Sequence, residues 1–146
     1  AVVVVLVVSQ VNLLAQLNDA LRLLERTRKV GEFITSPDVS IIPLWGTGSA
    51  PGAHAKLAYD GHTGRVMLLS SRIAAPPEGQ AYQLWAISER MEPAGILSPG
   101  SAGGTVLADY RPAADRSFVF AVTLEPERGA DEPTGEMLLL SGPLGG

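Results

Sequence analysis

The sequence predicts an all-β fold, an antiparallel β-sandwich preceded by one N-terminal α-helix. After residue 35, short apolar or alternating runs are separated by turn residues, with no long helical pattern between them. The 146 residues include 16 glycines and 11 prolines, which indicates many turns. Residues 9–30 are the exception, because they contain neither Gly nor Pro and are rich in helix-forming residues.

The first element is the apolar run "AVVVVLVV" at residues 1–8. We expect these residues to be the C-terminal end of a truncated transmembrane helix, since a bilayer core needs about 20 apolar residues. Valine runs also favour β-structure, so a buried N-terminal strand is the alternative.

Residues 9–34 are expected to form a juxtamembrane helix, and Gly31 offers a stop signal near its end. Its leucines follow the 3-4 spacing of a coiled-coil seam. Two interpretations stay open: the leucines pack on the body of the same domain, or residues 9–30 pair two copies into a homodimer. The leucines of the predicted seam are Leu14, Leu17, Leu21 and Leu24.

Residues 35–146 form the predicted β-sandwich. Asp60-Gly61 and Gly64 lie between two strand-like runs, which predicts a hairpin. Alternation predicts a central core strand over residues 118–125, because both of its faces are mainly apolar up to Thr123. The remaining strands are expected in "VSIIPLWG", "AHAKLAYD", "GRVMLLSS", "AYQLWAIS", "GTVLAD" and "EMLLLSG".

Composition argues against several function classes. The chain has no cysteine, so disulfides, thiol nucleophiles and cysteine-ligated metals are excluded within these residues. The formal net charge of -4 argues against nucleic acid as a partner. The two histidines, His54 and His62, have no metal-binding spacing. We expect no catalytic residue, no metal and no cofactor.

The closely spaced carboxylates in "EPERGADEPTG", at residues 125–135, suggest at first sight a site for acid–base catalysis. Pro126 ends strand pairing, Gly129 can take positive φ and Pro133 stiffens the return. The sequence therefore predicts a solvated connection between two strands. An enzyme that uses Asp60, His62 and the carboxylates of residues 125–132 is a weak alternative, because neither a pocket nor a shifted pKa is indicated.

Two stretches, "AYQLWAI…EPAGIL" and "FAVTLEPERGADEPTGEMLLLSG", resemble the C-terminal domain of the anti-sigma-K factor family. That family carries a Y-x-L-W strand, a G-x-L strand and a V-T-x-E-P…P-T-G hairpin in this order. The usual G-G-S after Glu-Pro is replaced here by "ERGAD". The matching residues are Tyr82, Leu84, Trp85, Gly95, Leu97, Val122, Thr123, Glu125, Pro126, Pro133, Thr134 and Gly135.

The resemblance implies a membrane-anchored bacterial regulator of transcription. It implies an upstream cytoplasmic domain that binds an extracytoplasmic-function sigma factor, one transmembrane helix, and residues 35–146 as a periplasmic sensor or regulatory domain outside the membrane. It also implies release of the sigma factor by regulated proteolysis. The motif would then fix a structural corner, in which Glu125 accepts hydrogen bonds from nearby backbone amides.

The main alternative is a secreted or cell-surface β-sandwich that binds carbohydrate or protein. In that case the N-terminal helix would serve as an oligomerisation stalk. Both interpretations are non-enzymatic.

Overall fold

One long helix and eight strands make up the described part of the chain, residues 2–97, 108–109 and 117–144 of a computed structural model. The chain divides into two compact units, Ala1–Pro37 and Asp38–Gly146. The first unit is helical, and all strands belong to the second.

The helix α1 is continuous from Val2 to Ile34, so the valine run is helical and its assignment to a buried strand is wrong. Gly31 does not stop it. Instead, the N–H and the side-chain hydroxyl of Thr35 both donate to the Gly31 carbonyl oxygen, at 3.1 and 2.9 Å. These bonds satisfy a terminal carbonyl, and Pro37 follows shortly after. Within the described residues, no helix has an apolar stretch long enough to cross a membrane.

The strands of the second unit all pair in antiparallel fashion. Their order in the sheet is β5-β4-β7-β8-β1-β2-β3-β6. The strands are β1 (Val39–Gly46), β2 (His54–Asp60), β3 (Arg65–Arg72), β4 (Gln80–Ile87), β5 (Met91–Leu97), β6 (Ala108–Asp109), β7 (Val119–Pro126) and β8 (Met137–Ser141).

The predicted class, an antiparallel all-β domain after an N-terminal helix, is confirmed. The sheet is single: its two end strands, β5 and β6, approach each other, so it nearly closes around one core. The strand expected in "GTVLAD" is described only at Ala108–Asp109, where it pairs with β3. Its other residues lie outside the described part.

The interior is packed mainly by alternating side chains of β1, β2, β3, β4 and β7, together with Ala94 and Leu97 of β5 and Leu139 of β8. Tyr59, Phe118 and Phe120 form an edge-to-face cluster in it, with ring centroids 5.2 to 5.6 Å apart. The predicted central strand is confirmed, because β7 lies between β4 and β8. Side chains of the opposite alternation on β4 and β7 point away from this core.

Candidate functional site

The outer face of β4 and β7 carries four polar or aromatic side chains that are nevertheless buried. Gln83 is 3% exposed, Thr123 is 1% exposed, and Trp85 and Glu125 are fully buried. Gln83 pairs with Thr123 in the strand register. The cover is the β7–β8 loop, residues 127–136, which contacts this face through its backbone and through Thr134.

Glu125 is the centre of these contacts. The backbone N–H of Thr134 lies 3.0 and 3.1 Å from the two carboxylate oxygens. The Gly135 N–H donates to Oε1 at 3.1 Å, and the Thr134 hydroxyl donates to Oε2. The Thr123 hydroxyl donates to Oε1 at 2.5 Å. One carboxylate therefore binds its own strand and the far end of the loop.

Burial of Glu125 favours the neutral acid and by itself raises the pKa. The donors from Thr123, Thr134 and Gly135 outweigh this effect, so the pKa of Glu125 is held below its ordinary value. The expectation that all these acidic residues are solvated is wrong for Glu125, although Glu127, Asp131 and Glu132 are exposed. A low pKa keeps Glu125 ionised, which suits a structural acceptor and not a general acid.

Trp85 extends the cluster to β4. Its indole N–H donates to the Thr123 hydroxyl oxygen at 2.8 Å, and that hydroxyl donates in turn to Glu125. Thr123 is therefore satisfied both as donor and as acceptor. Trp85 is a packed aromatic with its one polar atom bonded.

Gly135 brings the loop against the backbone of β7. A Cβ atom at this position would lie 2.0 Å from the carbonyl oxygen of Leu124, far inside van der Waals contact. Only glycine permits this approach, and the approach places the Gly135 N–H on Glu125. The hydrogen bond between Gly135 and Glu125 therefore requires glycine at position 135 as well as the carboxylate at position 125.

Gln83 holds the first half of the loop. Its side-chain amide donates to the Ala130 carbonyl oxygen at 2.8 Å and accepts from the Ala130 N–H at 2.7 Å. Sequence reasoning missed this residue. The available signal was a polar side chain within the apolar strand "AYQLWAI", since a buried amide needs partners.

The β2–β3 turn contains a second buried carboxylate, that of Asp60, which is 6% exposed. It accepts from the backbone N–H groups of His62 and Thr63, at 2.9 and 3.2 Å, and from the Thr63 hydroxyl at 2.6 Å. The Thr63 hydroxyl is the main cause that lowers the pKa of Asp60. The predicted hairpin is present, and Asp60 stabilises its turn by accepting these hydrogen bonds.

The other motif residues lie in the core, in β4 and β5, and at the two ends of the β7–β8 loop. Leu84, Leu97 and Val122 are buried in the core, and Tyr82 donates its hydroxyl to the Ala74 carbonyl at 2.9 Å. Gly95 lies in β5 with φ of 133°. Pro126 and Pro133 are exposed at the two ends of the loop. Within the described residues, no group of three or more potential ligands could hold a metal.

Comparison with known proteins decides the family. A profile described as "Anti-sigma-K factor rskA, C-terminal" matches residues 1–137. The chain belongs to the anti-sigma-K factor family.

Individual members of the anti-sigma-K factor family are also similar to this chain. An "Anti-sigma-K factor RskA" of Mycobacterium tuberculosis (strain ATCC 25618 / H37Rv) is 32% identical over 116 residues, covering 73% of this chain and 45% of the relative. A "Dysfunctional anti-sigma-K factor RskA" of Mycobacterium bovis (strain ATCC BAA-935 / AF2122/97) is 31% identical over 114 residues, with the same coverage.

An "Uncharacterized protein in phr 5'region" of Streptomyces griseus is 32% identical over 126 residues, covering 86% of this chain and 50% of the relative. The chain thus spans about half the length of the curated relatives it matches. No solved structure matches it significantly. Membership of the anti-sigma-K factor family supports a regulatory role in sigma-factor control.

Proposed function

We propose that this chain is the extracytoplasmic regulatory domain of a membrane-anchored anti-sigma factor. In this proposal a cytoplasmic part of the whole protein binds an extracytoplasmic-function sigma factor, and regulated proteolysis releases it. The observation that carries the proposal is the family match over residues 1–137, together with relatives named anti-sigma-K factor.

The geometry of the β7–β8 loop supports a non-enzymatic role. Both oxygens of Glu125 are engaged by donors of the protein itself, and the lowered pKa removes its use as an acid near neutrality. Asp60 is engaged in the same way within its own turn. The residues of the family motif therefore act to hold the β7–β8 loop in one conformation.

The side of the membrane can be tested by cysteine labelling, because these 146 residues contain no cysteine. Arg90→Cys places a thiol at an exposed site in the whole membrane-bound protein. We expect a membrane-impermeant maleimide to label it in intact cells above the level of the parent protein. Labelling only after lysis would contradict the extracytoplasmic placement.

Control of the sigma factor needs a separate test. Deleting residues 38–146 from the whole protein should change transcription from a sigma-dependent promoter. Unchanged transcription under every condition in which the parent protein responds would contradict a regulatory role for this domain.

We also propose that α1 pairs two copies of the chain. The seam residues Leu14, Leu17, Leu21 and Leu24 are 65, 55, 55 and 66% exposed in the single chain. Exposed leucines at coiled-coil spacing lose water contact when two such helices pair. At 100° per residue, Leu23 lies on the opposite face of the helix and gives a matched control.

Light scattering tests the pairing. The chain should have twice its sequence mass, Leu17→Glu with Leu21→Glu should halve that mass, and Leu23→Glu should leave it unchanged. A parent chain that is monomeric at high concentration would contradict the homodimer.

A further inference from the structure

An open hollow lies beside the β7–β8 loop, on the outer side of β4 and β5. Its volume is about 560 Å³, within the range of small-molecule sites. One side is formed by the strands and the other by the loop. The lining residues are Gln83, Pro93, Gly95, Ile96 and residues 128–131.

The strand side owes its shape to a β-bulge. The β4–β5 register shifts so that Leu84 pairs with Gly95 and Trp85 with Pro93, which leaves Ala94 as the extra residue, buried in the core. Gly95 has a φ of 133°, a conformation open to glycine and strained for other residues. Bulges redirect the chain locally and occur next to binding sites.

The loop side is fixed in place from two directions. The amide of Gln83 holds Ala130 by two hydrogen bonds, and Glu125 holds the end of the loop. Gly129 has a φ of 78°, and a Cβ there would lie 3.0 Å from both Gln83 Oε1 and Ile96 Cδ1. The loop is therefore pressed against the strand side in a set position, and both walls are preorganised.

Two opposite charges stand on the loop side. Arg128 and Asp131 are exposed and line the hollow. Within the described residues, neither has an ion-pair partner. Pro93 and Ile96 supply apolar surface on the strand side. The hollow thus combines a cation, an anion and an apolar wall.

We propose that this hollow binds a short peptide or amino-acid-like zwitterion. The carboxylate of the ligand pairs with Arg128, its ammonium group pairs with Asp131, and an aliphatic side chain rests on Ile96 and Pro93. Because the hollow is open, part of the ligand stays in water and the charge contacts are exposed, so we expect weak binding, with a dissociation constant on the order of 1 mM. This binding proposal stands independently of the proposed regulatory function of the domain.

Amide chemical shifts of the 15N-labelled chain, titrated with free trialanine, test the proposal. Saturable shifts are expected at Gly95, Ile96, Gly129 and Ala130. Trialanine with both termini blocked should bind about tenfold more weakly, because both charge contacts are lost. Absence of shifts up to the solubility limit, shifts located elsewhere, or equal binding of the blocked peptide would each overturn the site.

Variants supply a second criterion. Arg128→Ala and Asp131→Ala are surface substitutions that each remove one of the two charge contacts, so each should raise the dissociation constant about threefold, equivalent to about 0.7 kcal/mol. Arg90→Ala removes the same charge from an exposed arginine that pairs with Glu92 at 3.7 Å and is not among the lining residues. It should leave the dissociation constant unchanged. Equal weakening by Arg90→Ala, or no weakening by either loop variant, would overturn the proposal.

Discussion

Two corners of the sheet each rely on one buried carboxylate, Asp60 at the β2–β3 turn and Glu125 at the β7–β8 loop. Asp60 binds donors two and three residues away, so its hydrogen bonds form as the turn forms. Glu125 binds donors nine and ten residues away, at the far end of a long connection. Both carboxylates have a lowered pKa.

The difference shows what each charge accomplishes. A turn such as the one at Asp60 has other ways to satisfy its amides, since solvent is close to them. The loop that Glu125 binds lies on the outer face of the sheet, where Trp85 and Gln83 would otherwise face water. We therefore expect the Glu125 contacts to contribute far more to the stability of the domain than those of Asp60.

Removing each carboxylate should give the largest contrast. Glu125→Ala leaves the Thr123, Thr134 and Gly135 donors without an acceptor and opens a cavity, so the free energy of unfolding should fall by about 3–5 kcal/mol. Asp60→Ala should cost about 1–2 kcal/mol. Urea unfolding at neutral pH measures both, and equal losses would contradict the comparison.

The close approach of the loop gives a second effect. Gly135→Ala would place a methyl group against the Leu124 carbonyl oxygen, so the loop must shift and stability should fall by about 1–3 kcal/mol. Gly142→Ala is the matched control, because nothing lies within 4 Å of its Cβ position. Its stability should stay within about 0.5 kcal/mol of the parent. A tolerated alanine at position 135 would show that the loop can hold Glu125 from another position.

Acid should weaken both corners, by less than truncation does, because a protonated carboxyl keeps its shape. The folded-state pKa of Glu125 lies below 4.5 and that of Asp60 below 3.8, their unperturbed values. Each group therefore stabilises the fold above its unperturbed pKa, and this contribution is lost as pH falls through the folded pKa. Urea midpoints of the parent, Glu125→Gln and Asp60→Asn, measured between roughly pH 3 and pH 7, should show a flatter acid slope in each variant. An unchanged slope in Glu125→Gln would mean that its pKa is not lowered.

Single hydroxyl deletions should have the smallest effects. Thr134→Ala removes the hydroxyl bond to the buried Glu125 and should cost about 1–2 kcal/mol. Thr63→Ala removes the corresponding bond to Asp60 and should cost about 0.5–1 kcal/mol. Thermal unfolding of the two variants provides the comparison. A larger loss for Thr63→Ala would reverse the ranking of the two corners.

Much of the fold could be predicted from the sequence because its signals are local. Alternation in "SFVFAVTLE" predicts a central strand, and Asp60-Gly61 predicts the hairpin. What ends the helix was not predicted. Gly31 was a local stop signal, but Thr35 and Pro37 determine where the helix ends.

The candidate site could be predicted only in part, because its contacts join distant residues. The proline-glycine pattern predicts a turn after Glu125 but not the burial of Glu125, which depends on a loop folding back over β7. The pairing of Gln83 with Ala130 spans 47 residues. The bulge at Ala94 likewise arises from strand register, which one sequence does not reveal. The resemblance supplied the motif residues and the expectation that Glu125 accepts hydrogen bonds from backbone amides, but it did not specify that the donors are Thr134 and Gly135.

The two tryptophans of the chain occupy opposite environments, with Trp85 fully buried beside Thr123 and Trp45 64% exposed on β1. An indole in a dry, hydrogen-bonded setting emits at shorter wavelength than one in water. In Trp45→Phe the remaining emission would come from beneath the β7–β8 loop. The protein thus carries its own optical probe at the corner that Glu125 holds, and displacement of the loop would be visible as a red shift without any added label.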